Sequence, residues 1–99
     1  MAKLSSAQRA LRVLVTLKGH TMDGLSNSEI AKALDESAVN ISRALAVLVE
    51  EGLVKQLDNG RYGPHIRLLQ IAQAHANEMD RASRTIDEIN QRVLAGSRI

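Results

Sequence analysis

The sequence has no cysteine, no tryptophan and no phenylalanine, and Tyr62 is its only aromatic residue. Any core must therefore be filled by Leu, Ile, Val and Ala. Without thiols the chain can form neither a disulfide framework nor a thiolate zinc site, which fits a reducing, cytoplasmic compartment. No uninterrupted apolar run approaches the ~20 residues that span a bilayer, and Met1 to Arg12 mixes charged with small residues instead of forming a signal peptide, so no membrane partner and no export are expected. A strong charge of one sign is also missing. The formal net charge is +2 over 99 residues, so affinity for nucleic acid has to be argued from local pattern. That length fits one small domain and excludes two large lobes.

Catalytic patterns are absent as well. His20, His65 and His75 fall in a loop, at a helix start and on a helix face, with no neighbouring nucleophile and orienting group. The sequence has no His-Glu-x-x-His, no glycine-rich phosphate loop and no calcium-loop spacing. No enzyme activity, no metal and no cofactor are expected.

Helical signals dominate what is present. From Ser5 to Leu17, Ala7, Ala10, Leu11, Leu14 and Leu17 recur at the spacing of one helical face, with Ser5 or Ser6 as the cap and an end near Gly19. A second helix starts at Ser26-Asn27-Ser28-Glu29, which has the capping-box form, and turns Ile30, Ala31 and Leu34 inward. After the polar run Asp35-Glu36-Ser37, a third apolar periodicity of Ile41, Ala44, Leu45 and Leu48 runs to Gly52, with Ser37 as its N-cap. Two short helices separated by about three turn residues have helix-turn-helix spacing.

Leu53 to Leu57 and Arg61 to Gly63 flank Asp58-Asn-Gly60, the signal for a hairpin with a two-residue turn whose central positions take positive φ. In that register Leu57 lies across from Tyr62 and Asp58 across from Arg61, which places an ion pair near the tip. Between Pro64 and Gly96 there is no glycine, and residues 65 to 94 read as one long helix. Along it Leu68, Ala72, His75, Met79, Ala82, Ile86, Ile89 and Val93 alternate steps of four and three, the spacing of a coiled-coil seam. Met79, Ala82, Ile86, Ile89 and Val93 are its expected dimerisation residues, with Leu4, Ala7 and Leu11 of the first helix as the alternative contact. The expected fold is mainly α: a winged helix-turn-helix over residues 1–64, made of a three-helix core and a β-hairpin wing, then a long C-terminal helix over 65–99.

Ala10-Leu-Arg-Val-Leu14, Leu25-Ser-Asn-Ser-Glu-Ile-Ala31, Ile41-Ser-Arg-Ala-Leu-Ala-Val-Leu48, Glu51-Gly-Leu-Val54 and Gly60-Arg-Tyr62 fill this frame. They resemble the winged helix-turn-helix domain of the isocitrate-lyase-regulator (IclR) family, from Ser5 to about Leu69, and the step into the wing is shared with the multiple-antibiotic-resistance regulators. The resemblance implies a bacterial or phage transcription regulator that binds operator DNA as a dimer. Family members carry a longer effector-binding domain, whereas here only the long helix follows, so dimerisation through that helix is expected in its place. Asp35 and Glu36 are a second departure, since carboxylates ahead of the third helix favour its dipole but repel phosphate.

In a helix-turn-helix the second helix presents its N-terminal and outward residues to the major groove. Here those are Ser37, Ala38, Asn40, Ser42 and Arg43. Asn40 can pair with adenine and Arg43 with guanine. On the wing Asn59 and Arg61 are candidates for the backbone or minor groove, and Ser26 and Ser28 for phosphate. The expected function is a sequence-specific homodimeric regulator, acting as a repressor on double-stranded DNA with an inverted repeat. The alternative is a winged-helix interaction module that binds and modulates a protein partner.

Overall fold

Each of the first three helices begins at a serine. Ser5, Ser26 and Ser37 have extended backbone, and their hydroxyls accept the amide N–H of Gln8, Glu29 and Asn40, satisfying donors that a first helical turn leaves without partners. At Ser5 and Ser26 the capping box is closed by the Gln8 and Glu29 side chains. In the computed structural model, which describes residues 4–98, these caps open α1 (Ser6–Thr16), α2 (Asn27–Leu34) and α3 (Ala38–Glu50), followed by β1 (Val54–Gln56), β2 (Tyr62–Pro64) and α4 (Ile66–Gly96).

The turn between α2 and α3 closes on hydrogen bonds. Asp35 adopts the left-handed conformation at φ 53°, and the N–H groups of Asp35 and Glu36 donate to the carbonyls of Lys32 and Ala31. This is a Schellman motif with aspartate where glycine is usual, a position its short polar side chain tolerates. The tight closure fixes the direction in which α3 leaves α2.

An aliphatic core forms where the three helices and β1 meet. Val13, Leu17, Ile30, Ala31, Ile41, Ala44, Leu45, Leu48 and Val54 are buried, with Ala10, Leu14, Leu25, Leu34 and Tyr62 packed around them. Each fully buried Leu, Ile or Val contributes about 1.5 to 3 kcal/mol. The inner faces expected for α2 and α3 are those observed. On α1 the expected Ala10, Leu14 and Leu17 do turn inward, but Leu11 is 62% exposed and Ala7 is exposed too, while Val13 is fully buried. Around Ala10, Leu14 and Leu17 the inner face can extend to one side, over 7 and 11, or to the other, over 13, within the same helical period. Contact with α2 and α3 selects the second.

The hairpin is shifted by one residue from its expected register. Val54, Lys55 and Gln56 pair antiparallel with Pro64, Gly63 and Tyr62, and the Leu57 N–H donates to the Arg61 carbonyl at 2.7 Å. Leu57 therefore faces Arg61, and Asp58 has no ion-pair partner among the described residues. Asp58, Asn59 and Gly60 form a three-residue loop in which Gly60 alone takes positive φ, at 83°, the usual site for glycine in such loops. Leu25, just ahead of α2, joins the other edge of the wing: it exchanges two 2.8 Å hydrogen bonds with Tyr62. The cap of α2 is thus tied to β2.

The chain divides into two structural units after Leu69. In the first, the Arg67 guanidinium donates to the Glu51 carbonyl at 3.2 Å, and the His65 N–H to the Leu53 carbonyl at 2.9 Å. The second unit is the remainder of α4, and every described residue in it is exposed. At 1.5 Å per residue the 31 residues of α4 extend about 46 Å. No described helix is long and apolar enough to cross a membrane.

Candidate nucleic-acid interface

The N-terminal half of α3 is held by polar contacts on both sides. On one side the Asn27 amide donates to the Ser42 hydroxyl at 2.7 Å and reaches the Ala38 carbonyl at 3.4 Å. This locks the start of α2 onto α3. On the other side Glu36 accepts from the Asn40 amide at 3.1 Å and pairs with Arg9 of α1 at 3.2 Å. The acidic turn is therefore compensated in part: the Glu36 charge is spent on Arg9 and Asn40, and only Asp35 lies exposed without an ion pair among the described residues.

Between these contacts the outer face of α3 is free. Ser37, Ala38, Val39, Ser42 and Arg43 are exposed. Arg43 has no ion pair or side-chain hydrogen bond among the described residues, whereas Asn40 is half-buried and already engaged. Asn40 and Arg43 border a cavity of about 270 Å³ with Ser6, Ala7 and Arg9, so Asn40 lies on the edge of α3 nearest α1. Val39 was not singled out from the sequence. It is 58% exposed and lies four residues before Arg43, one turn away on the same face. Counting outward from the buried Ile41 and Leu48 would have found it. The sequence carries no separate signal for Asn27, because its position reads as part of the cap of α2.

The candidate wing residues are tied back to the body. Arg61 donates from Nε to the Asp23 carbonyl at 3.0 Å and from Nη2 to the Gly24 carbonyl at 3.1 Å, and its Nη2 lies 2.8 Å from the Glu29 carboxylate. The Asn59 side chain accepts the Arg61 N–H at 2.9 Å and donates to the Asp23 carbonyl at 3.3 Å. Ser26 caps α2, its hydroxyl accepting the Glu29 N–H at 3.1 Å, while Ser28 is exposed beside it. These links form one chain from wing to Arg61, to Glu29, to the start of α2. Met79, Ala82, Ile86, Ile89 and Val93 belong to the second unit and form an exposed stripe along α4.

Two glutamates in this scaffold are held ionised. The Ser26 backbone N–H and hydroxyl, then Arg61, draw Glu29 below the usual glutamate value near 4.5. The Asn40 amide, then Arg9, do the same for Glu36. A carboxylate whose folded value is depressed contributes stability above its unfolded value and loses it as pH falls through the folded one. Urea midpoints followed by circular dichroism should therefore stay level from neutral pH to about pH 5 and fall below about pH 4.5. Glu29→Gln combined with Glu36→Gln should flatten that acid limb; a limb of unchanged steepness would exclude these two groups as its source.

Among the described residues no group of three His, Asp or Glu side chains is placed to hold a metal ion. The sequence profile of the IclR helix-turn-helix domain matches residues 6–58. No curated protein sequence matches the chain significantly. Among solved structures, the cysteine regulator CymR of B. subtilis aligns with TM-score 0.54 and 26% identity over 65% of this chain, which spans about half, 52%, of CymR. A MepR variant from a multidrug-resistant S. aureus isolate aligns with TM-score 0.56 and 23% identity, covering 97% of this chain and 81% of its own. A MepR variant bound to an oligodeoxyribonucleotide gives 0.55 and 23%, over 89% and 72%. The likeness to MepR is one of fold.

Proposed function

The chain belongs to the IclR helix-turn-helix domain family, and from that premise we propose that it is a sequence-specific, homodimeric transcription regulator that represses by occupying an inverted repeat in double-stranded DNA. The observation that carries this reading is the free outer face of α3, clamped by Asn27 on one side and by Glu36 and Arg9 on the other. A groove-reading helix needs that rigidity, because base-edge hydrogen bonds tolerate little misplacement.

The side chains divide the work. Arg43, with its donor fork uncommitted, reads guanine from the major groove. Val39, one turn earlier, meets a thymine methyl. Asn40 contributes from the edge of the helix with whatever capacity Glu36 leaves it. Ser28 and Ser37 reach phosphates, fixing register without reading sequence. Arg61 and Asn59 act first as braces that hold the wing to α2. Any DNA contact they make comes from a side chain already anchored, so the wing approaches the backbone as a rigid element.

Selection of bound duplexes from a random pool tests the proposal. An enriched palindrome, with affinity falling steeply as salt rises, is the expected result. Enrichment of nothing, together with stoichiometric capture of a protein partner, would favour the interaction-module reading. Dimerisation through α4 is tested separately. A chain ending at Leu69 should have monomer mass in light scattering while the full chain has dimer mass; an unchanged dimer would move the contact to the first unit.

A further inference from the structure

The stripe on α4 has a register that favours one way of pairing. Met79, Ile86, Ile89 and Val93 are 49%, 57%, 54% and 65% exposed, and no described residue of their own unit covers them. Counting heptads from the seam places Ala72, Met79, Ile86 and Val93 at a, and Leu68, His75, Ala82 and Ile89 at d. The flanking g positions are then Ile71, Glu78, Thr85 and Arg92, and the e positions Leu69, Ala76, Ser83 and Asn90. Glu78 and Arg92 make no ion pair or side-chain hydrogen bond among the described residues.

We propose that α4 pairs with α4 of a second copy running in the opposite direction, in the register that sets Ile86 against the second copy's Ala82 and Met79 against its Ile89. This rests on the dimeric reading above and specifies its geometry. In antiparallel pairs, g positions face g positions. Glu78 then meets Arg92 of the second copy twice by symmetry, and Thr85 meets Thr85 on the two-fold axis. Every core layer between His75 and Val93 also contains at least one large apolar side chain, because Ala82 packs against Ile86 and His75 against Val93; only the end layer, Ala72 against Gly96, lacks one. A parallel pair loses both features. It stacks Ala82 on Ala82 and His75 on His75, and its g-to-e contacts join Glu78 to Ser83 and Arg92 to Ser97, without an ion pair. Sliding the antiparallel pair by one heptad sets Glu78 against Thr85 and Arg92 against Ile71, which also leaves both charges without partners.

The absence of cysteine makes single-thiol variants of the full chain a clean test. Thr85→Cys should form an intermolecular disulfide on mild oxidation. Val93→Cys should not, since the two thiols would lie about 27 Å apart along the axis at 1.5 Å per residue. Glu78→Arg and Arg92→Glu should each weaken the dimer about tenfold, and the double reversal should restore it. Cross-linking at Val93 without cross-linking at Thr85 would overturn the antiparallel arrangement and leave the dimer standing. A full chain of monomer mass would overturn both.

Discussion

Arg43→Ala is expected to cost about 1 to 3 kcal/mol of discrimination between the selected operator and scrambled duplex, roughly a tenfold to hundredfold loss of specific affinity. The reasoning is local. Arg43 is the cation on the outward face of α3, and its guanidinium has no competing partner among the described residues. The core positions Ile41, Ala44, Leu45 and Leu48 hold the helix that carries it, so truncation at Cβ removes the contact without disturbing the fold. Affinity for random duplex should fall much less, and the dependence of log K on log salt should lose about one phosphate equivalent at most. Anisotropy titrations on both duplexes, with thermal melts to show that folding is unchanged, give the answer. Equal losses on operator and random DNA would mean that Arg43 neutralises phosphate and reads no base.

Gly24→Ala should damage the fold itself by about 2 to 4 kcal/mol. Gly24 sits at φ +68°, and a Cβ there would lie 2.8 Å from both the Leu57 Cδ1 and the Tyr62 carbonyl oxygen. The Leu57 side chain could turn away. The carbonyl could not, because it accepts the Leu25 N–H that ties β2 to the start of α2. The melting temperature should fall by roughly 10 to 25 °C for a protein of this size. Gly19 provides the control: its φ is +80° and an added Cβ would meet nothing within 4 Å, so Gly19→Ala should cost only the backbone strain of about 1 to 2 kcal/mol. Similar losses at both glycines would show that the junction between wing and α2 yields freely.

How far the sequence could be read depended on how local each signal was. Ser26 and Glu29 are three residues apart, and the capping box they announce is present. Ser37 likewise caps the helix it was expected to cap. The hairpin was legible as a hairpin, but its register was not. A one-residue choice of loop length moved Arg61 from Asp58 to Glu29, and the signal for Glu29 lies 32 positions earlier in the chain. Arg9 and Glu36 give a second instance, an ion pair between α1 and the turn before α3 that no spacing along one element could indicate. For the candidate site the same division holds. Arg43 and Ser37 followed from helical period, and the partner that engages Asn40 lies only four residues earlier, at Glu36, while the bracing roles of Asn27, Asn59 and Arg61 followed from neighbours distant in sequence.

By itself, then, the sequence determined the order of elements, their caps, the inner faces of α2 and α3 and the heptad stripe of α4. Hydrogen bonds over three or four residues and the 3.6-residue period fix those features wherever the chain lies in space. Only the tertiary structure decided to which side of Ala10, Leu14 and Leu17 the buried face of α1 extends, how the wing is registered and which polar side chains remain free for a ligand. Those choices are nearly degenerate within each element. They are settled by which partner side chain or carbonyl the rest of the fold brings within about 3 Å.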